Sequence, residues 1–320
     1  MKLFTKALLT SSLLTAMSVQ AADPITVYGK LNVTVQSEDV QGDRTTAIES
    51  NASRLGVKGA FELSSNLEAF YTIEYEVDTG SKDKENFKAR NQFVGLRGGF
   101  GEVSLGRNDT MLKKSQGKVD VFNDLSGDLK TLFKGEVRAE QTATYVSPSL
   151  AGFKAGVTWV GENSSKQIDE VKQETVNGFS AALMYGDSGL KKQPVYAAVA
   201  YDTSVQGYDI LRATVSTKLV GIKLGGMFQS QQKNDGLDDA DMVESYDSDK
   251  GYLLSAAYDI NAITLKAQYQ DMDNQGSAAS IGADYKLSKP TKLFAFATQR
   301  DIEEATDKDT FFGIGLEHKF

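Results

Sequence analysis

Lys30, Arg54, Arg90 and Arg138 fall on one side of four alternating segments, and Asp120 and Asp124 lie close together in the long connector that ends at Arg138. Ammonium and guanidinium groups facing carboxylates across water neither make nor break covalent bonds. They set up a transverse field that sorts ions and is focused by low-dielectric walls. The other reading gives each arginine its own separate ion pair, and spacing alone leaves both open. Bond-making chemistry has little to work with. The only histidine, His318, stands two residues from the chain end on an apolar row, and cysteine is absent. Acyl transfer needs an imidazole beside its nucleophile. There is no G-x-S-x-G, no Cys/His metal spacing and no phosphate loop, since Gly98-Gly99-Phe100-Gly101 reads as a turn between strands. Neither enzymatic activity nor a cofactor is expected.

The elements that must position these charges are strands. In Ile25 to Ser37, ITVYGKLNVTVQS, apolar side chains occupy the odd positions and polar ones the even positions, a period of two. The pattern recurs at Leu67–Val77, Phe153–Trp159, Ile263–Tyr269 and Phe312–Phe320, and sixteen such segments can be counted. Leu293 to Thr298 is ambiguous, because Phe294 and Phe296 fall on the opposite register. In a soluble sandwich the apolar row is the core; in a membrane barrel it faces lipid and the polar row lines water. Aromatics near strand ends, among them Tyr75, Trp159, Tyr201, Tyr258, Tyr269 and Tyr285, suit interfacial girdles.

The first residues, MKLFTKALLTSSLLTAMSVQAADP, have a basic head, a short apolar stretch and small residues before Ala21. They are expected to be a secretory signal peptide over 1–21, leaving a single domain over 22–320. The apolar stretch is short for a membrane-spanning helix, which takes about 20 residues. Without Lys2 and Lys6 the chain carries 33 bases against 43 acids, a net −10, a poor match for nucleic acid. Short turns interleave with longer polar connectors, and the connectors at 38–50, 161–175, 232–248 and 302–309, with Asp273, together carry −14. That is either an acidic rim or loops kept soluble by charge. The connector from Asp109 to Val137 has 29 residues, five acids and five bases, and loops of that length are usually functional. Its Val119, Val121, Phe122, Leu125, Leu129, Leu132 and Phe133 would be poorly placed in water, so it is expected to fold back onto the barrel's inner wall.

With VYGKLN at 27–32, SRLGVKG at 53–59, Arg90 ahead of Gly95-Leu96-Arg97, GEVSLGR at 101–107, TYVSP at 144–148 and a terminal Phe320, the chain resembles the general diffusion porins of the Gram-negative outer membrane. The resemblance implies an all-β, sixteen-stranded antiparallel transmembrane β-barrel with an inward-folded third extracellular loop. It implies a constriction with Lys30, Arg54, Arg90 and Arg138 on the wall and Asp120 and Asp124 on the loop, where Asn123-Asp124-Leu125-Ser126-Gly127 replaces the family's Pro-Glu-Phe-Gly-Gly run. It also implies an outer-membrane homotrimer, association with lipopolysaccharide and outer-membrane lipid, and insertion machinery that recognises the last strand. The expected function is passive diffusion of small hydrophilic solutes and ions. The acidic connectors point to a mild cation preference, against which the inward bases argue. The alternatives are a sugar- or anion-selective channel, with Phe70, Tyr196, Phe294 and Phe296 as candidate stacking platforms, or a soluble secreted β-sheet binding protein.

Overall fold

The structure, a computed structural model, describes residues 25–80, 85–169, 172–234 and 248–320. The expected signal peptide and most of the acidic connector 232–248 lie outside the described residues. The described residues form seventeen strands: β1 (Thr26–Val40), β2 (Asp43–Ser50), β3 (Arg54–Ser64), β4 (Leu67–Val77), β5 (Phe87–Gly98), β6 (Gly101–Asp109), β7 (Arg138–Val146), β8 (Phe153–Asp169), β9 (Lys172–Gly186), β10 (Val195–Val205), β11 (Tyr208–Leu219), β12 (Ile222–Lys233), β13 (Asp249–Ile260), β14 (Ile263–Met272), β15 (Gly276–Lys286), β16 (Thr291–Ile302) and β17 (Asp309–Lys319). β2 and β3 both pair with β1 and form one stave, interrupted at Asn51–Ser53 where Ala52 takes φ 50°. Successive strands pair antiparallel, and β17 returns to β1 from Lys30↔Lys319 to Asp39↔Thr310. The sheet is therefore a closed barrel of sixteen staves with no free edge.

Burial is inverted relative to a soluble protein. In β1 Leu31 and Val35 are 45% and 58% exposed, whereas Asn32, Thr34 and Gln36 between them are buried. Ile314 and Leu316 on β17 and Leu211 and Val215 on β11 are likewise exposed. The outward face is hydrocarbon in character and the inward face polar. Rings collect toward both ends of that face: Tyr75 against Phe87 and Tyr252 against Tyr269 at one end, Phe153 against Tyr185 at the other. His318 sits outside too, bonded to Thr291 at 2.8 Å.

Two sequence expectations change. Residues 38–50 are not a loop, because β1 runs on to Val40 and β2 starts at Asp43. Gln41 and Gly42, at φ 52° and 84°, make the left-handed two-residue turn that matches hairpin twist. Polar side chains do not oppose pairing where both faces of the hairpin are wet. β8 and β9 likewise stay paired from Ser164↔Val176 to Asp169↔Lys172. The ambiguous stretch Leu293 to Thr298 also has a physical reason. Phe294 and Phe296 point inward, over Gly315 and Gly313 of β17, which lack the Cβ that would collide with them. There they pack with Phe311 and with Phe122 of the long connector.

That connector fills part of the interior. Val119, Leu129, Leu132 and Phe133 are buried against Met227, Leu253, Met272 and Ala278, and Met111 and Leu112 against Ala182, Ala200 and Ile210. Phe122→Ala removes the ring from the Phe294/Phe296/Phe311 cluster, and burial loss of this kind costs about 3–5 kcal/mol. Trypsin should then cut the folded variant at Lys130 or Lys134 under conditions that leave the parent intact. Equal protease resistance would show that the packing does not hold the connector.

Candidate functional site: a charged strut across the bore

The connector between β6 and β7 leaves the wall at Thr110, whose hydroxyl accepts from Lys113 N (3.3 Å) and caps α1 (Met111–Ser115). The outgoing leg is tied to the wall: Leu112 N donates to Ser180 Oγ (2.9 Å), and Tyr196 donates its hydroxyl proton to Ser115 O (3.0 Å). Near the tip Val121 N donates to Gln268 Oε1 and Gln268 Nε2 to Gly127 O, both at 2.9 Å. The returning leg turns through a 3-10 helix, Leu129–Thr131, and Lys134 N donates to Gln231 Oε1 (3.0 Å). One side of the barrel, β9 to β16, thus carries the connector.

The tip reaches the other side. Asp124 adopts φ 69°, a left-handed conformation that aspartate tolerates, and its N–H donates to Asp128 Oδ2 (2.8 Å). This aims its carboxylate at the opposite wall, where Oδ2 accepts from Lys30 Nζ (2.8 Å) and Arg54 Nη2 (3.0 Å). Burial alone would raise the Asp124 carboxyl; Lys30 and Arg54 outweigh it and hold the group below the usual carboxylate range. The ionised strut so formed crosses the bore.

Arg90 and Arg138 share this face without touching the tip. Arg90 is bound by Glu74 (2.6 Å) and Glu76 (2.9 Å) of β4. Arg138 pairs with Asp109 (3.0 Å) and donates to Asn91 Oδ1 (2.9 Å). The four wall bases therefore meet four carboxylates, and the wall is a mixed ladder rather than a purely basic strip. Glu74 and Glu76 were not singled out from the sequence, although they lie on the polar row of their strand; the register Arg54↔Glu76 is what brings them in. A second mixed ladder runs over β14 to β16, with Asp284 between Lys266 and Lys292, 2.8 Å from each.

Asp120 lies elsewhere. Its two oxygens accept from Phe122 N (2.8 Å) and Leu129 N (2.9 Å), closing the tip on itself. Burial, with the Asp128 carboxylate beside it, pushes the Asp120 carboxyl well above the usual range despite those two N–H groups. It fastens the connector, its oxygens turned to Phe122 N and Leu129 N rather than to the gap. Arg212 and Glu136, also missed from sequence, are joined at 2.7 Å behind the connector.

A closed, apolar-belted barrel whose water-lined bore is narrowed by an ionised strut is a transmembrane diffusion channel. A profile described as Gram-negative porin matches residues 7–305, and the chain belongs to that family: it is an outer-membrane porin, a passive channel and not an enzyme. Among its relatives, the major outer membrane protein P.IB of Neisseria sicca is 25% identical, with 96% of this chain and 98% of the relative covered. The fold is shared with an anion-selective porin from Comamonas acidovorans at TM-score 0.77 and 20% identity, covering 93% of this chain and all of that one. Salmonella typhi OmpF, in a complex with daunomycin, gives TM-score 0.72 at 15% identity, covering 93% and 98%.

Asp124→Asn frees Lys30 and Arg54 and should move the cation-to-anion permeability ratio toward anions by up to about fivefold, the factor equivalent to ~1 kcal/mol for a solvent-screened charge. Asp120→Asn should leave the ratio in place. Reversal potentials in a salt gradient measure both, and an equal shift in the two variants would contradict the geometry.

Proposed function

We propose that this porin is a general, non-specific channel for small hydrophilic solutes, mildly cation-preferring, with its constriction formed by Lys30, Arg54, Arg90 and Arg138 on the wall and Asp124 on the connector. Asp120 acts as a fastener of the strut. Residues 1–21 serve as the cleaved export signal of the 22–320 barrel. The channel works as a homotrimer in contact with lipopolysaccharide, and the insertion machinery takes hold of the last strand.

The observation that carries this reading is the fate of the inward aromatics. A selective sugar channel needs open rings for stacking. Tyr196 spends its hydroxyl and its ring on the connector, and Phe294 and Phe296 are packed against Phe122. Phe70 is flanked by Phe93 edge-on (6.0 Å) and by the Arg97 guanidinium (5.2 Å). With Lys30, Arg54, Arg90 and Arg138 each matched by a carboxylate, ion preference falls to the rim. There Glu38, Asp39, Asp43 and Glu49 of the β1–β2 hairpin and Glu303, Glu304 and Asp307 outnumber Arg44 and Lys308. For the last strand, support comes from Phe320: its backbone exchanges hydrogen bonds with Gly29, and its ring covers that glycine while remaining 56% exposed.

Anion preference is the second reading, favoured by one observation: Lys58 and Lys114 form no ion pair among the described residues, Lys58 lying instead over the Tyr28 ring at 5.2 Å. In liposome swelling, sugars of rising size should enter at rates that fall smoothly with size and do not saturate. Saturation by one sugar would contradict a non-specific channel. A reversal potential of anionic sign would replace cation preference with the second reading.

A further inference from the structure

Arg212 of β11 is fully buried, and its guanidinium fastens both legs of the connector to the wall. Nη1 donates to Glu136 Oε1 on the returning leg (2.7 Å) and reaches Leu112 O on the outgoing leg (3.4 Å). Nη2 donates to Lys134 O (3.1 Å), and Nε to Gln229 Oε1 of β12 (2.7 Å). Gly135, on the returning leg at φ 94°, lies where an added Cβ would run into the Leu112 side chain of the outgoing leg. A single cation thus closes the root of the strut.

The seam around it holds one acid too many. Asp202 of β10 is fully buried on the same inward face. Register sets Ser180 and Ile210 beside Asp202 and Ala200 beside Arg212, so Asp202 and Arg212 are diagonal neighbours, near enough for long side chains to interact. Among the described residues neither carboxyl oxygen of Asp202 makes a hydrogen bond at ordinary length; Ser180, whose hydroxyl accepts from Leu112 N, and Arg212 are its polar company. Two carboxylates against one guanidinium leave an unpaired negative charge where water is excluded, a strongly disfavoured state. The other charged groups facing the seam do not cancel it. Lys113 gives its ammonium to Glu136 O (3.3 Å) and Asp109 (3.4 Å). Asp209 of β11, bonded to Ser204 N (2.9 Å), and Asp128 of the connector are acids as well and work in the same direction. Burial pushes the Glu136 carboxyl up in spite of Arg212 and Lys113.

We propose that Asp202 is a positioning residue of the channel: the Asp202–Glu136 pair shares one proton, which leaves Arg212 undivided on the connector, and loss of that proton loosens the root of the strut. The proposal rests on the connector narrowing the bore. As pH rises the second carboxylate appears, competes for Arg212, and weakens the hold on Leu112, Lys134 and Glu136.

Single-channel recording at fixed salt from about pH 6 to about pH 9, a span in which buried carboxyls titrate, tests this. The parent channel should show one step, with conductance and open-channel noise both rising toward alkaline pH. Asp202→Asn is close to isosteric; it should conduct and lose the step. Glu136→Gln, which leaves Asp202 alone with Arg212, should lose it as well, and it carries the same decision if the asparagine variant does not refold. A flat parent profile, or a step that survives in either variant as titration of Asp120 would make it, overturns the proposal. A protein that conducts at no pH refutes the porin reading instead.

Discussion

Hydrocarbon offers no partner to a backbone N–H or C=O, and that constraint organises this chain. Sixteen staves, each with half its side chains greasy, can cross a membrane only if the sheet closes, and the β1–β17 ladder closes it. Closure at this strand number leaves a bore that wall side chains alone cannot fill. Water enters because inward positions on the β1 to β7 wall include Lys30, Asn32, Thr34, Gln36 and Arg54. The connector between β6 and β7 then takes up part of that water. Beneath it apolar burial operates as in a soluble core.

That local core explains the channel's asymmetry. Inward positions on β9 to β16 include Ala182, Ala200, Ile210, Met227, Leu253, Met272, Phe294 and Phe296, which would be out of place against water. They are a docking surface for the connector's own apolar residues. The opposite wall, β1 to β7, keeps its charges, and the tip of the connector meets it through the Asp124 carboxylate. Packing therefore decides which side stays open, while electrostatics decides what the open side favours.

The barrel was legible because a period of two is a local signal repeated sixteen times. The connector's destination was legible from its seven apolar residues. What escaped depends on contacts distant in sequence. Glu74 and Glu76 join the basic wall only through strand register. Asp120 and Asp124 look equivalent in sequence, yet a left-handed backbone at Asp124 turns one acid outward while N–H groups of Phe122 and Leu129 keep the other in. Arg212 is one inward base among several until Lys134, Glu136 and Leu112 arrive from far along the chain. Phe294 and Phe296 broke the alternation because their side of the barrel faces protein rather than water. The hairpin at 38–50 was hidden by its polarity, which says nothing about pairing once both faces are solvated.

The central claim is orientation: apolar rows outside against lipid, polar rows inside around water. The chain has no cysteine, so single thiols can be placed cleanly at Leu55, outward on β3, and at Lys58, three residues on and inward. In planar bilayers a charged, water-soluble thiol reagent should change the conductance of Lys58→Cys and leave Leu55→Cys untouched. Modification of Leu55→Cys with protection of Lys58→Cys would mean that the apolar rows enclose a dry interior, and the channel account would be wrong.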